Sequence, residues 1–210
     1  MGFRSDIAVA AQIACLLEAS APKPGNVNRY HDFADTTFED FLLSAAAVGP
    51  AMGRAGGVGV GRTILRAVRD TRRFVRTNTN LGIILLLAPL ARAAAGAGGS
   101  LRSRLARGLA ELDVEDARAA YAAIRLAQPA GLGRVQDQDV REEPTVSLRE
   151  AMALAAPRDT IAREYVTDYA VTFETGVPAL CRAREQGLDW AAAVTETYLS
   201  LLAAVPDTLI

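Results

Sequence analysis

Apolar residues recur at three- and four-residue spacing along most of the chain, which is the pattern of amphipathic helices. In the first such segment, from Ser5 to about Ala19, the apolar residues Ile7, Ala10, Ala14 and Leu17 share one face, and Ser5 is placed to cap it. No segment alternates apolar and polar residues between turns, as a strand would. The pattern therefore predicts an all-α fold.

Polar residues mark where further helices begin. Thr37-Phe-Glu-Asp40 and Ser147-Leu-Arg-Glu150 have the spacing of capping boxes, and Asp113, Asp159 and Asp189 are suited to N-caps. After the first helix, we expect three helices that begin near 37, 147 and 189. We expect six more that cover 62–76, 81–95, 101–111, 114–127, 159–173 and 178–187. We expect one domain over residues 1–210 with about nine or ten helices, because no linker or repeat divides the chain.

The predicted helix 62–76 separates its residues onto two faces. Ile64, Val68, Thr71 and Val75 line an apolar face, and five arginines line the other: Arg62, Arg66, Arg69, Arg73 and Arg76. Most of this arginine stripe is interpreted as a solvated face, with Arg76 set apart by the polar residues that follow it.

Composition narrows the functional classes. Half of the 210 residues are hydrophobic, 22% are charged and the net charge is −1, which suits a buried core and argues against a nucleic-acid-binding protein. The longest apolar run, Leu81–Ala91, is too short to span a bilayer. With no signal peptide evident and only Cys15 and Cys181 as cysteines, we expect a cytoplasmic protein that does not contact membranes.

The only lysine lies in a stiff segment, Ser20-Ala-Pro-Lys-Pro-Gly-Asn26. Prolines fix the backbone on both sides of Lys23, and Gly25 permits a positive φ. A preordered loop loses less entropy when it binds a ligand. A ligand-binding turn is the favoured interpretation, and a helix-ending turn with a solvated lysine is the alternative.

A second polar segment, Thr77-Asn-Thr-Asn80, precedes the apolar helix 81–95; we call it the polar run. One such residue would be enough for an N-cap. Exposed amides at a helix N-terminus, together with amide side chains, also suit a phosphate or ribose ligand. Both interpretations stay open.

Weaker motifs favour structural explanations. Gly56–Thr63 resembles a phosphate-binding loop but has Arg62 in place of the lysine and no preceding strand, so a flexible connection is favoured. His31, the only histidine, is expected in a surface loop, and zinc binding is not expected. In Gln136-Asp-Gln-Asp139, two carboxylates two residues apart could share Mg²⁺ or belong to a polar surface loop.

Taken together, these segments resemble the triphosphoribosyl-dephospho-CoA synthase family. The resemblance is carried by Glu18 with Pro22-Lys-Pro-Gly25, by Phe41-Leu-Leu-Ser-Ala45, by Thr77-Asn-Thr-Asn-Leu-Gly82 and by Gln138-Asp139. The chain is shorter than typical synthases and lacks the histidine and lysine that they carry in the polar run.

The resemblance implies an all-helical transferase that joins C1 of the ATP ribose to the 2′-hydroxyl of 3′-dephospho-CoA and releases adenine. It implies Mg²⁺ with ATP as substrate. Glu18 or Asp139 would act as the base, and Asp32 and Asp137 would bind the metal. Phosphate and ribose contacts would come from the lysine segment and from the residues around the polar run: Lys23, Gly25, Asn26, Arg76, Thr77, Asn78, Thr79 and Asn80.

Two alternatives accompany this expectation. A related enzyme would keep the ATP site and use a precursor of a one-carbon carrier of the tetrahydromethanopterin type as acceptor. A non-catalytic helical protein would bind a nucleotide in the same pathway. The apolar content of the helices is also compatible with a homodimer.

Overall fold

The computed structural model describes residues 2–129, 133–135 and 137–205, with side chains from Ser5 onward. Within these ranges the chain forms ten α-helices and no strand, which confirms the all-helical prediction. The helices are α1 Gly2–Ser20, α2 Phe38–Met52, α3 Val60–Arg72, α4 Leu81–Ala95, α5 Leu101–Ala110, α6 Val114–Ala127, α7 Leu148–Ala155, α8 Thr160–Val166, α9 Val177–Glu185 and α10 Trp190–Ala204. A 3₁₀ turn covers Ala55–Gly57, and a π-helical turn covers Thr172–Gly176.

Side-chain caps are present at five of the predicted helix starts. Thr37 and Ser147 form capping boxes with Asp40 and Glu150, and Asp113 forms a third capping box at α6. Two further aspartates accept backbone N–H groups at the starts of α8 and α10, namely Asp159 and Asp189. Each cap satisfies a backbone donor that a helix N-terminus leaves without an internal partner.

Three predicted boundaries are wrong. Helix α3 ends at Arg72 instead of Arg76, so Arg73, Val75 and Arg76 lie beyond it. Ser5 lies inside α1, which already begins at Gly2. The helix that follows Asp159 ends at Val166 instead of Phe173, because Asp168 and Tyr169 adopt left-handed φ values of 51° and 60°.

A buried carboxylate of α8 stabilises the segment that follows this helix. Glu164 accepts the backbone N–H groups of Val171 and Thr172 at 3.0 and 3.1 Å. Its carboxylate therefore acts as a cap from the preceding helix, which no local sequence pattern indicates.

The inward face of α1 differs from the predicted one. Ala11, Cys15 and Ala19 are buried, whereas Ala10 and Ala14 are exposed. Cys15 is a core residue, and burial together with the charge of Glu18 raises its pKa to about 11.

Helix α4 lies in the middle of the bundle, against α1, α2, α3, α5 and α8. Its bounds agree with the predicted helix, and it has buried residues on several sides. Within the described part of the chain, no helix combines the length and the apolar character needed to cross a bilayer.

The end of the glycine-rich segment forms the start of α3 and contacts α6. The N–H of Gly61 donates to Asp116 Oδ1 at 2.8 Å, and a Cβ at position 61 would lie only 2.3 Å from the Asp116 carbonyl oxygen. Gly61 therefore allows α3 and α6 to approach closely at their N-terminal ends. This packing role supports the structural interpretation of the segment over a phosphate-binding loop.

Candidate functional site

The lysine segment folds back on the end of α1. Lys23 is only 5% exposed, and its Nζ lies 2.9 Å from Glu18 Oε1 while it also donates to the Glu18 main-chain carbonyl. The alternative of a solvated lysine is therefore wrong. An ammonium group has three donors, so one remains beyond these two contacts. We call residues Glu18–Asn28 the lysine turn.

Short hydrogen-bonded steps shape this turn. The N–H of Lys23 donates to the Ala21 carbonyl at 2.8 Å, and that of Asn26 donates to the Lys23 carbonyl at 3.2 Å. Gly25 has a φ of +79°, which a residue with a Cβ adopts only with strain. The turn is thus set before any ligand arrives, as the two prolines predict.

The segment after the lysine turn leads directly into α2. Asp32 Oδ1 accepts the N–H of Phe38, the first residue of α2, at 2.7 Å. Asn28 and His31 pair through their main chains, and the His31 side chain is exposed, as predicted. Asp32 thus ties the loop to the start of α2.

The polar run is anchored to two neighbouring helices. Thr79 Oγ1 lies 2.6 Å from Ser44 Oγ of α2, and Asn80 Nδ2 donates to Thr71 Oγ1 of α3 at 3.3 Å. These four side chains are buried. Thr79 and Asn80 therefore connect the start of α4 to the middle of α2 and the C-terminal end of α3, and they fix the conformation of the run.

Asn78 has a different position. Its Oδ1 accepts the N–H of Leu81 at 3.1 Å, so it caps α4, and the residue remains exposed. Its amide NH₂ group is left on the surface as a donor. Arg76 is also exposed, so the two residues place a cation and an amide donor at the N-terminus of α4.

A small cavity lies beneath the polar run. It is lined by Thr77, Asn78 and Arg72 among others, and its volume is about 10 Å³, enough for roughly one water molecule. The buried Oγ1 of Thr77 has no hydrogen-bond partner among the described residues. A nucleotide would have to bind over the exposed surface of the run, since this cavity is too small for it.

Asp139 holds the loop between α6 and α7. Its two carboxylate oxygens accept the N–H groups of Arg141 at 2.9 Å and Val135 at 3.2 Å. These two hydrogen bonds lower the pKa of Asp139, and the nearby Arg141 and Arg134 side chains lower it further. Asp139 is therefore a weaker proton acceptor than an ordinary carboxylate at neutral pH.

The neighbours of Asp139 position this loop along α6. The Tyr121 hydroxyl donates to the Gln138 carbonyl at 2.7 Å, and Gln138 adopts a φ of 53°. Tyr121 lies six residues before Ala127, about 9 Å along the helix. Ala127 lines the cavity under the polar run, so this loop and the run both lie near the C-terminal part of α6.

The two proposed metal ligands come from separate segments. Asp32 lies at the start of α2, and Asp137 is exposed in the loop after α6; Gln136 is outside the described residues. In the described ranges, no group of three or more His, Cys, Asp or Glu side chains could hold a metal ion. One or two carboxylates are still sufficient for Mg²⁺ that arrives on phosphates.

Sequence reasoning missed three residues that shape the site. Ser44 and Thr71 hold the polar run, and the Tyr198 hydroxyl of α10 donates to the Pro24 carbonyl at 3.1 Å. Ser44 and Thr71 are polar residues on otherwise apolar helix faces, which is a signal that could have identified them. Tyr198 has no such signal, because its partner lies 174 residues away.

The fold and the site define an all-helical protein whose polar turns lie at helix ends and carry cations, amide donors and carboxylates. Over residues 4–210 the chain matches the family model CitG, described as ATP:dephospho-CoA triphosphoribosyl transferase. The chain belongs to this family, and it is a transferase of the triphosphoribosyl group.

A solved structure supports this assignment. A protein from Archaeoglobus fulgidus, provisionally assigned as a triphosphoribosyl-dephospho-CoA synthase, is similar with a TM-score of 0.61 and 28% sequence identity. The similarity covers 79% of this chain and 71% of that one. No curated protein matches the sequence significantly.

Proposed function

We propose that the polar run and the lysine turn together bind the triphosphate and ribose of Mg·ATP, and that the acceptor is the 2′-hydroxyl of 3′-dephospho-CoA. The observation that carries the proposal is the family match together with the arrangement of Asn78 and Arg76 at the N-terminus of α4. In the reaction the bond between ribose C1 and adenine breaks, and a bond from C1 to the acceptor oxygen forms. The acceptor proton leaves with adenine.

Two anchors on α2 support a common site for the lysine turn and the polar run. Asp32, four residues beyond the lysine turn, bonds to Phe38, and Thr79 bonds to Ser44. Phe38 and Ser44 are six residues apart, about 9 Å along the helix. Along the helix axis this separation is comparable with the length of a triphosphate, and the proposal is that one nucleotide contacts both segments.

Each cation and amide donor has a distinct proposed role. Lys23 would use its remaining donor on a phosphate oxygen, and Arg76 would add a second positive charge. Asn78 would donate its amide to a phosphate or ribose oxygen while its Oδ1 continues to cap α4. Thr77, Gly25 and Asn26 would line the same surface, whereas Thr79 and Asn80 would act by holding the run in place.

The two candidate bases differ in their surroundings. The Glu18 side chain is 40% exposed and pairs with Lys23 through Oε1. Asp139 has both oxygens engaged by backbone N–H groups and a lowered pKa. We therefore assign proton removal from the acceptor hydroxyl to Glu18, and to Asp139 the ordering of its loop and a negative charge near the positive ribose.

Mg²⁺ would enter as part of the nucleotide substrate. It neutralises phosphate charge when bound. Asp32 has a second carboxylate oxygen beyond the one that caps α2, and Asp137 is exposed. Either side chain could approach a cation held mainly by phosphates, which suits the few protein ligands that Mg²⁺ commonly uses.

The test is adenine release from ATP and Mg²⁺, measured by chromatography with and without 3′-dephospho-CoA. The proposal predicts adenine only when dephospho-CoA is present, in equal amount to the transferred product. A precursor of a one-carbon carrier that replaces dephospho-CoA would instead identify the related enzyme. Saturable ATP binding without adenine in any mixture would indicate a non-catalytic nucleotide-binding protein and contradict the proposal.

A further inference from the structure

A second cavity lies at the other end of α4. Its volume is about 200 Å³, well above the 10 to 15 Å³ that one water molecule requires. Arg92, Arg104 and Arg107 line it together with the helix residue Gly108; we call it the arginine cavity. Leu81 and Arg92 are eleven residues apart, about 16 Å along α4, so this cavity is distinct from the polar run.

Among the described residues, no ion pair neutralises the arginines of this cavity. None of its three arginines forms an ion pair with a carboxylate in the described part of the chain, and the one acid in the lining, Glu111, pairs with none of them. The lining therefore has an excess of two positive charges. Like charges that line one cavity repel each other, and a bound anion would reduce that repulsion.

Two of the arginines are held in place by main-chain carbonyls. Arg92 donates to Val58 O at 2.8 Å, and Arg104 donates to Ala93 O at 2.7 Å and Gly99 O at 2.6 Å. These contacts leave several of the five N–H groups of each guanidinium unused. Arg107 is exposed, and its side chain forms no hydrogen bond or ion pair with any described residue. Capping of α4 therefore explains part of the position of the Arg104 side chain. It does not explain why an arginine is present at 107.

Gly108 adds an independent observation. It lies inside α5, where glycine costs roughly 0.5–1 kcal/mol relative to alanine. A Cβ at this position would meet nothing within 4 Å, so close packing does not require a glycine there. The missing side chain instead leaves room within the arginine cavity.

We propose that the arginine cavity binds a small phosphate oxyanion of at least two negative charges, the size of phosphate or pyrophosphate. Bidentate hydrogen bonds from guanidinium groups suit phosphate oxygens. The anion would neutralise the arginines and join α4 to α5. This site is separate from the proposed nucleotide site and does not depend on it.

The test is a calorimetric titration of the full chain with inorganic pyrophosphate. The wild type should show saturable binding, and Arg107→Gln and Gly108→Gln should each weaken it at least tenfold. Both variants should fold, because the Arg107 side chain forms no hydrogen bond or ion pair with a described residue and a Cβ at 108 meets nothing within 4 Å; thermal unfolding checks this. Arg66→Gln, which changes another exposed arginine, on α3, is the control and should bind as the wild type does.

Two results would overturn the proposal. One is the absence of saturable pyrophosphate binding. The other is binding that Lys23→Ala abolishes while Arg107→Gln and Gly108→Gln leave it unchanged, which would place the anion at the lysine turn. Adenine release is independent of these outcomes: its loss with pyrophosphate binding intact would contradict only the proposed function.

Discussion

The Tyr165 hydroxyl donates a 2.6 Å hydrogen bond to the main-chain carbonyl of Leu85. In a regular helix that carbonyl would accept the N–H of residue 89, but residue 89 is a proline and has no N–H. Tyr165 is fully buried and Leu85 nearly so. The tyrosine of α8 therefore satisfies a carbonyl that the proline of α4 leaves without a partner in the core.

Replacing Tyr165 with phenylalanine should destabilise the protein. The change keeps the ring and leaves the Leu85 carbonyl without a partner, which costs about 1–3 kcal/mol for a buried group. Urea unfolding should show this loss in the free energy of unfolding. Tyr30→Phe is the control, because Tyr30 is 77% exposed and should change stability by less than about 0.5 kcal/mol. Equal stability of both variants would contradict this role.

The free energy of unfolding should fall at alkaline pH because the buried thiol of Cys15 ionises less readily in the folded protein than in the unfolded chain. Its pKa is raised in the fold from 9.0 to about 11, so the unfolded chain loses the thiol proton first. The contribution is complete below pH 9 and is lost as the pH rises from 9 to 11, at up to about 1.4 kcal/mol per pH unit. Urea unfolding under reducing conditions should show that the advantage of the wild type over Cys15→Ala shrinks across this range. A constant difference would contradict the buried thiol.

The caps explain why so much of the fold could be predicted from sequence. Thr37, Asp113 and Ser147 each accept an amide N–H three residues away, so a short stretch of sequence contains the whole interaction. The end of α8 at Val166 could not be predicted this way. It depends on the buried Glu164, whose carboxylate reaches amides seven and eight residues later, and on tertiary packing that holds Tyr169 in the core.

The candidate site was predictable to a smaller extent. Sequence identified the stiff lysine turn and the polar run, but their side chains have different surroundings. Lys23 is buried against Glu18, and Thr79 is buried against Ser44. These contacts join residues on different elements or around a turn, so spacing alone could not reveal that Asn78 and Arg76 would be the exposed members.

Lys23→Ala should weaken ATP binding at least tenfold, since the proposal gives its ammonium group a phosphate contact. Arg66→Ala should change the affinity less than twofold, because Arg66 pairs with Asp70 on a solvated face of α3. Calorimetry with Mg·ATP measures both. Thermal unfolding must accompany it, since Lys23 also stabilises the end of α1. Comparable losses of affinity in the two folded variants would contradict the assignment.

The two candidate bases can be separated by the steady-state rate. Glu18→Gln should lower kcat for adenine release by about 10²–10⁴, the range for loss of a general base. Asp139→Asn should lower kcat less, because the wild-type carboxylate already has both oxygens occupied by backbone amides. The opposite order, with Asp139→Asn as the more damaging change, would move the base to the loop after α6.

The most direct measurement is the KM for ATP in adenine release by Asn78→Asp. Aspartate keeps the oxygen that caps Leu81, so α4 should begin as before, but it places a negative charge where the account puts phosphate. We expect a KM for ATP at least tenfold higher than in the wild type, and an unchanged KM in Arg107→Gln. An unchanged KM in Asn78→Asp, with a raised KM in Arg107→Gln, would place the nucleotide at the opposite end of α4 and rule out the proposed site.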